Sequence, residues 1–389
     1  MAIEGHGMVR SLRIRLGMVG GGQGAFIGAV HRIAARLDDE FELVAGALSS
    51  TPEKAEASGR ELGLAPDRIY TTFAAMAEAE SRRKDGIEAV SIVTPNHMHL
   101  PIAREFLARG IHVICDKPMT ATLEEAKELA RLAAGSGRLF VLTHNYTGYP
   151  LIRQARAMVE AGELGEIRVV QAEYAQDWLT EKLEDTGQKQ AGWRTDPGRS
   201  GPGGCIGDIG THAYNLACFV TGLRLESVCA DLTTFVVGRR LDDNVHVLLR
   251  FAGGAKGMLW ASQVAPGNEN GLRLRVYGSK GGLEWAQEEP NTMRFTPFGQ
   301  PSRLLTRAGA GATAPAARVS RIPSGHPEGY LEAFANLYAE AARAIRTART
   351  RGEPDAEVLY PTAEDGLAGL AFIDACLRST AQDGAWVRL

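Results

Sequence analysis

"GMVGGGQGAFIGAVH", residues 17–31, is the stretch that decides the fold. It begins inside "RIRLGMVG" (13–20), a short apolar run that reads as a strand, and it opens "AFIGAVHRIAARL" (25–37), whose apolar residues recur at helical spacing. Glycines at such a strand-to-helix junction allow a tight turn and let a pyrophosphate reach the backbone amides at the helix start. Gly20 and Gly22 take two of the required places, and Gly24 or Ala25 takes the third. Gly28 comes later than the simplest spacing asks. Gln23 and Phe26 belong to the same expected binding loop. A glycine cluster alone is a weak signal. Here it has a strand before it, a helix after it and further strand–helix alternation beyond.

Working outward, "FELVAGAL" (41–48) reads as a strand. "TPEKAEASGRELGL" (51–64) reads as a helix with Thr51 as N-cap and Pro52 at its first position. "GIEAVSIVT" (86–94), "HVICDK" (112–117) and "RLFVLTHN" (138–145) read as strands. "HLPIAREFLARG" (99–110) and "TLEEAKELARLAAGSG" (122–137) are the helices between them, the second capped by Thr122 with Glu125 three residues on. Near-continuous apolar strands alternating with helices predict a parallel sheet covered on both faces. The second strand ends in "ALSSTPEK", where a binder of unphosphorylated dinucleotide usually carries an acid. Ser49, Ser50 and Lys54 suit a 2′-phosphate instead, so the expectation leans to NADP over NAD.

After residue 150 the pattern changes. "LIRQARAMVEAGEL" (151–164) is helical. Strands follow at 166–175, 225–236, 243–252, 255–264, 271–278 and 281–287, with a hairpin signal at Gly253-Gly254. One long, mostly antiparallel sheet is expected. "DIGTHAYNLACFVTG" (208–222) is an amphipathic helix within this half, and 327–347 and 361–380 are closing helices. "RAGAGATAPAARVS" (307–320) reads as a flexible surface loop. "WLTEKLEDTGQKQAGW" (178–193), charged and irregular, reads as a mobile segment over the site or as a solvated loop. The expected division is a dinucleotide-binding Rossmann domain over 1–147 and a substrate-binding and oligomerisation domain over 148–389, with the final helices returning to the first.

Composition excludes several classes. The 389 residues are 44% hydrophobic and 23% charged, with a formal net charge of −3. That balance offers neither the basic surface a nucleic-acid binder needs nor a polybasic membrane patch. Five cysteines with no CxxC spacing argue against a disulfide framework or a thiolate zinc site. The N-terminus has no long apolar leader segment, and no window approaches a membrane span, so a cytoplasmic location is expected. His97, His99 and His144 lack the acids or cysteines that would complete a metal shell, so no metal is expected.

Chemistry concentrates at "HVICDKPMT" (112–120). An apolar strand ends at Asp116-Lys117-Pro118, and ligands of open α/β sheets bind outside the carboxyl ends of strands. Pro118 restricts Lys117 toward extended conformations. Taking hydride from a carbinol carbon also requires the hydroxyl proton to leave, and an amine at that place can share in the transfer. Independently, Asp208 and His212 are four residues apart, which puts them on one face of a helix. A carboxylate beside an imidazole fixes its tautomer and supports its charge. Asp208 also has the residue type and place of an N-cap for a helix beginning near Ile209.

"CDKP" resembles the Glu-Lys-Pro motif of the glucose–fructose oxidoreductase / inositol dehydrogenase / MocA family. The likeness extends through the glycine loop, "TPNHMH" (94–99), "HNYTGYP" (144–150), "WRTDPGRSGPGG" (193–204) and "GDIGTHAYNL" (207–216). It implies a Rossmann domain followed by an α+β domain whose large open sheet is usually buried in dimer or tetramer contacts. It also implies hydride transfer between a nicotinamide cofactor and a sugar, glycoside or inositol. It places Lys117, Asp208 and His212 as the catalytic group. Thr94, Pro95, Asn96 and His99 fall on the loop lining the cofactor, Asn145 beside the nicotinamide, and Trp193 and Arg194 on a pair reaching in from the second domain. Asp116 replaces the commoner Glu near the nicotinamide ribose. Asn215 stands where many relatives carry a second acid. With Tyr149 and Gln176, Asn215 completes the expected substrate wall, and Asp177 and Trp178 lie next to it. Two other activities suit the same parts: net glycoside hydrolysis with tightly held NAD, and a non-enzymatic cofactor-sensing regulator.

Overall fold

Strand–helix alternation in the first 145 residues builds an all-parallel sheet. The computed structural model describes residues 13–350, 352–353 and 355–389. The stretch read above for a leader, residues 1–12, lies outside the described residues. The elements run β1 (Ile14–Gly20), α1 (Phe26–Leu37), β2 (Phe41–Ala47), α2 (Pro52–Glu61), α3 (Phe73–Arg82), β3 (Ala89–Val93), α4 (His99–Ala108), β4 (His112–Cys115), α5 (Leu123–Ser136) and β5 (Phe140–Leu142). The strand order is β2-β1-β3-β4-β5, every pair parallel. Chain progression reverses direction across the sheet between β1 and β3, so their carboxyl ends flank the crevice where such sheets bind ligands. All of β3 is buried, as a strand covered on both faces requires. Thr122 and Glu125 form the capping box expected at α5. Thr51 takes the N-cap position of α2 with Pro52 first in the helix, as expected, although its side chain accepts no capping bond.

The second half contributes α6 (Pro150–Glu160), β6 (Ile167–Ala175), α7 (Lys189–Arg194), α8 (Pro197–Ser200), α9 (Thr211–Thr221), β7 (Leu225–Thr233), β8 (Asn244–Phe251), β9 (Lys256–Ser262), β10 (Gly271–Gly278), β11 (Gly281–Ala286), β12 (Thr292–Pro297), β13 (Arg303–Thr306), α10 (Ala314–Arg318), α11 (Tyr330–Arg349), α12 (Ala363–Thr380) and β14 (Val387–Arg388). Nine strands form one sheet in the order β13-β12-β11-β10-β6-β9-β8-β7-β14. Only the β6–β9 pair is parallel among these neighbours. Gly253 and Gly254 both take left-handed backbone (φ 83° and 97°) in the β8–β9 turn, which only glycine does without strain. On one face of this sheet α9 packs over β6 and β10. The other face carries Leu248 and Met258, paired across β8 and β9 and each about half exposed.

The closing helices cross between the halves. α11 lays Phe334, Tyr338, Ala341 and Ile345 against Ile14, Leu16, Val30 and Ala34 of the first sheet and α1. α12 packs on α5 and on β7.

The 307–320 stretch differs from its reading as a flexible loop. Arg307 is buried and donates to the Glu328 carboxylate (2.9 Å) and the Ile322 carbonyl (2.8 Å). The Gln154 side chain accepts from the Thr313 amide at 2.7 Å. The 178–193 segment is likewise held. Arg239 donates to the Leu179 carbonyl (2.9 Å), the Glu181 carbonyl (3.1 Å) and the Glu184 carboxylate (2.9 Å).

Candidate functional site

The glycine loop shapes the floor of a cleft. Gly20 and Gly21 adopt left-handed backbone (φ 80° and 72°). The Gly22 amide donates to the Leu48 carbonyl at 3.1 Å, tying the loop to the end of β2. A Cβ on Gly28 would lie 2.4 Å from both Cα and O of Gly21. The glycine that lets helix and loop pack closely is therefore Gly28, later than the sequence pattern suggested. Gly24 has only a conformational role, with φ 74° and open space around it. No side chain caps the N-terminus of α1 and no acid lies in its first turn. That leaves an uncompensated positive helix end facing the loop.

The cleft holds about 630 Å³ and runs along the carboxyl ends of β1, β2, β3 and β4. Its walls include Gly20, Gly22, Gln23 and Ala25 from the loop, Ser49, Ser50 and Lys54 after β2, and Thr94, Pro95 and Asn96 after β3. Asp116 and Lys117 close one end, and Trp193, Arg194 and Asp208 reach in from the second half. Gly24 and Phe26 sit instead on the outer flank of the loop, beside Arg32 and Glu61. His99 is buried outside the cleft. Its ring nitrogens lie 2.9 Å from the Thr94 and Pro118 carbonyls, so it ties the two lining loops together rather than facing a ligand. The Thr94 hydroxyl, the Asn96 carbonyl oxygen and the Asn145 amide nitrogen are buried with no hydrogen-bond partner. Such groups are costly unless a ligand completes them. Thr94 and Asn96 line the cleft, and together with the bare helix end they fit a dinucleotide with its phosphates and hydroxyls; Asn145, expected beside the nicotinamide, is not among the residues lining it.

Lys117 leaves β4 at its carboxyl end, and the Lys117–Pro118 peptide is cis. Its Nζ donates to Oδ1 of Asp208 at 2.9 Å and to the Asp208 carbonyl at 2.7 Å. Oδ2 of Asp208 accepts from Gln263 at 2.9 Å and faces Nε of Arg194 at 3.3 Å. Burial works to raise the Asp208 carboxyl. The Lys117 and Arg194 charges outweigh it and hold the group well below the ordinary carboxylate range.

The helix expected over 208–222 begins with a π turn, Ile206–Gly210, before α9. Asp208 therefore does not cap the helix, and spacing by four no longer stacks it on His212. Among the described residues no hydrogen bond or ion pair joins the two. His212 is buried instead against His144, with their Nδ1 atoms 3.5 Å apart, and against the ring of Tyr146 at 4.8 Å. Burial, helped by the Lys117 charge and by His144, pushes the His212 imidazole far down. The same two causes, burial and Lys117, push His144 to about 3. Both rings are neutral near neutral pH.

Beyond His212 lies a polar network. The Tyr146 and Tyr174 hydroxyls are 2.5 Å apart, and Tyr174 donates to Asn270 at 2.7 Å. Asn270 also accepts from Gln176 (2.9 Å) and donates to Gln287 (3.0 Å), which donates to the Tyr149 hydroxyl (3.2 Å). Trp178, half-buried, donates to Gln176 at 3.1 Å. Tyr149 and Gln176 thus join His212 through shared partners rather than by lining the cofactor cleft. Asn215 is buried, its carbonyl oxygen unpartnered. His144, Tyr146, Tyr174, Gln263, Asn270 and Gln287 were not singled out in the sequence as site residues. "HNYTGYP" held the first two, while the others lie on strands and turns whose proximity only the sheet register creates.

Comparison with known proteins adds to this geometry. Residues 14–155 match a family described as "Oxidoreductase family, NAD-binding Rossmann fold", and residues 152–284 match one described as "GFO/IDH/MocA C-terminal domain". The chain is 35% identical over 397 residues to an uncharacterized oxidoreductase, YfiI, of Bacillus subtilis, covering 100% of this chain and 99% of that one. A crystal structure of an oxidoreductase from Sinorhizobium meliloti is 63% identical, with 97% and 100% coverage and a TM-score of 0.88. An inositol dehydrogenase homolog from Azotobacter vinelandii, solved with NAD+, is 39% identical, with 97% and 98% coverage and a TM-score of 0.94. The same homolog has also been solved with NADH and myo-inositol.

Proposed function

Because the chain belongs to the Gfo/Idh/MocA oxidoreductase family and its first half is an NAD-binding Rossmann fold, we propose that it transfers hydride between a nicotinamide cofactor and a hydroxyl-bearing carbon of a sugar, glycoside or inositol. One observation carries this reading: Lys117 from the first half and Asp208 from the second meet at 2.9 Å at the end of the dinucleotide cleft. The myo-inositol bound by the Azotobacter relative supports the substrate class.

The nicotinamide, when bound, supplies the hydride acceptor or donor. The protein manages the oxygen. Asp208 fixes the Lys117 ammonium, which holds the substrate oxygen and favours its anionic form. His212, neutral through burial, offers a lone pair to the departing hydroxyl proton. Arg194 and Gln263 keep the Asp208 carboxylate in place without consuming its charge on the substrate. The expected result is reduced-nicotinamide absorbance on incubation with at least one cyclitol or sugar from a panel offered with NAD+ and NADP+. His212→Ala should lower kcat by about a hundredfold or more. No turnover with any polyol, or a His212→Ala enzyme as fast as wild type, overturns the reading.

Cofactor choice turns on the end of β2. Ser49, Ser50 and Lys54 line the cleft there, and no acid stands among them to repel a 2′-phosphate. The site therefore takes NADP, with NAD as the weaker ligand. Ser49→Asp should weaken NADP by at least tenfold more than NAD in equilibrium titrations, a difference of about 1.4 kcal/mol. Equal weakening of both would reverse the assignment.

The uncovered face of the nine-stranded sheet is the oligomer contact. Leu248 and Met258 lie side by side there at 48% exposure each, with Val169 on β6 diagonal to Met258, opposite Lys256. A sheet face with apolar residues at its centre favours burial against a second copy. Sedimentation should give a homo-oligomer that Leu248→Glu dissociates. A monomeric wild type would remove this element of the proposal.

A further inference from the structure

His31 lies on α1, one helical turn and more beyond the glycine loop, and it is fully buried. Its Nδ1 is 2.8 Å from the Tyr338 hydroxyl on α11 and 3.2 Å from the Ser91 hydroxyl on β3. These two hydroxyls are themselves 2.9 Å apart. The other ring nitrogen, Nε2, has no hydrogen-bond partner and faces Oδ1 of Asp116 at 4.0 Å. That carboxylate oxygen accepts from the Lys117 amide at 2.9 Å and from the Thr143 hydroxyl at 3.1 Å.

The arrangement favours one tautomer. A neutral imidazole carries one N–H. With the proton on Nδ1, a bare lone pair on Nε2 would face the Asp116 carboxylate. With the proton on Nε2, the donor nitrogen sits 4.0 Å from the carboxylate, beyond hydrogen-bond reach but with favourable sign, and the single lone pair of Nδ1 accepts from the Tyr338–Ser91 hydroxyl pair. Burial, opposed in part by Asp116, pushes the imidazole to about 4, so the ring stays neutral.

We propose that His31, oriented by Tyr338 and Ser91, is a positioning residue for Asp116 and through it for the backbone of Lys117. The inference deepens the reading above, because it matters to catalysis only if the Asp116–Lys117 loop does. It also gives α11 a task in the site. A helix contributed by the last sixty residues of the chain orients a ring on the first helix, and that ring faces the acid next to the catalytic lysine.

Two measurements test it. The first needs no activity. Histidine-selective 15N NMR of the cofactor-free protein, with His31 assigned by difference from His31→Leu among the nine histidines, should show Nε2 protonated and Nδ1 as acceptor. Tyr338→Phe should move His31 toward a mixture of tautomers. A wild-type His31 protonated on Nδ1 overturns the proposal. The second is kinetic. His31→Leu should lower kcat about tenfold with the polyol KM changed less than twofold, and His31→Gln, which keeps an N–H donor, should recover most of the loss. The His31→Leu/Tyr338→Phe double variant should be no slower than His31→Leu, because residues acting in one chain are not additive. Unchanged kcat in a folded His31→Leu protein, or additive losses, overturns it. Absence of turnover in wild type would defeat the functional reading while leaving the NMR test standing. If His31→Leu fails to fold, His31→Gln supplies the assignment and the tautomer shift in Tyr338→Phe decides.

Discussion

Lys117→Met lowers kcat by about a thousandfold, within the range for loss of a positioned donor to a developing oxyanion, while the dissociation constant of the cofactor changes only a few-fold. Methionine keeps the length of the side chain and removes the ammonium, so the cleft keeps its shape. Asp208 then loses its strongest partner but still has Gln263 at 2.9 Å and Arg194 at 3.3 Å, so the protein stays folded. Steady-state kinetics on the best polyol, paired with equilibrium titration of the cofactor, separates the two effects. A variant retaining more than a tenth of wild-type kcat would mean that the ammonium stands near the reacting oxygen without acting on it. Asp208→Asn is the companion measurement. It should slow the reaction less than Lys117→Met, because the Asp208 backbone carbonyl also accepts from Nζ at 2.7 Å and still holds the amine.

Stability should fall steeply as the pH drops below about 6.5 toward 4. Burial pushes His31 and His112 to about 4 and His144 to about 3, and it also lowers His99 and His212. Each of these rings is neutral in the folded protein and charges on unfolding, so the unfolded chain binds more protons in this window. The stabilisation is complete above the unfolded value of 6.5 and is lost as the pH falls toward the folded values. Asp242 works the other way. Burial raises it to about 6, so the folded protein gains its proton first and one proton is offset. The balance for His31, His112 and His144 against Asp242 is about two protons, a slope on the order of 2 to 3 kcal/mol per pH unit near pH 5. Urea midpoints measured from pH 8 to pH 4.5 test this. A flat profile across pH 6 to 5 would show that these imidazoles reach water in the folded state.

Much of this was legible before any coordinates. The first sheet was readable because its strands are continuous apolar runs and its helices carry clear periodicity, as "AVSIV" before Thr94 and "LEEAKELARLAAGS" after Thr122 illustrate. Lys117 was readable because a cation at the end of a buried strand has few structural reasons to be there. What escaped depends on long-range register. Gly28 could not be matched to Gly21 without knowing how closely α1 approaches the loop. The π turn at Ile206–Gly210 leaves no periodic trace in five residues, yet it rotates Asp208 away from His212 and toward Lys117. α3 went unread because "FAAMAEAESR" is alanine-rich with only a narrow apolar stripe, and its Thr72 cap is one residue among many polar ones. The strands β12 and β13 are short and partly exposed, so they lack the apolar alternation that marked their neighbours. The anchoring roles of Arg307 and Arg239 escaped because nothing in a sequence distinguishes a buried arginine whose guanidinium is occupied by carbonyls and acids.

The return of α11 across the first sheet has a consequence for how this chain can be cut or recombined. Phe334, Tyr338 and Ile345 supply part of the hydrophobic lining that Ile14, Leu16 and Val30 require. A fragment ending near residue 150 would present that lining to water and self-associate, so the nucleotide half is not a transplantable module. Its boundaries in space enclose two distant stretches of the polypeptide, and any graft between relatives must carry both.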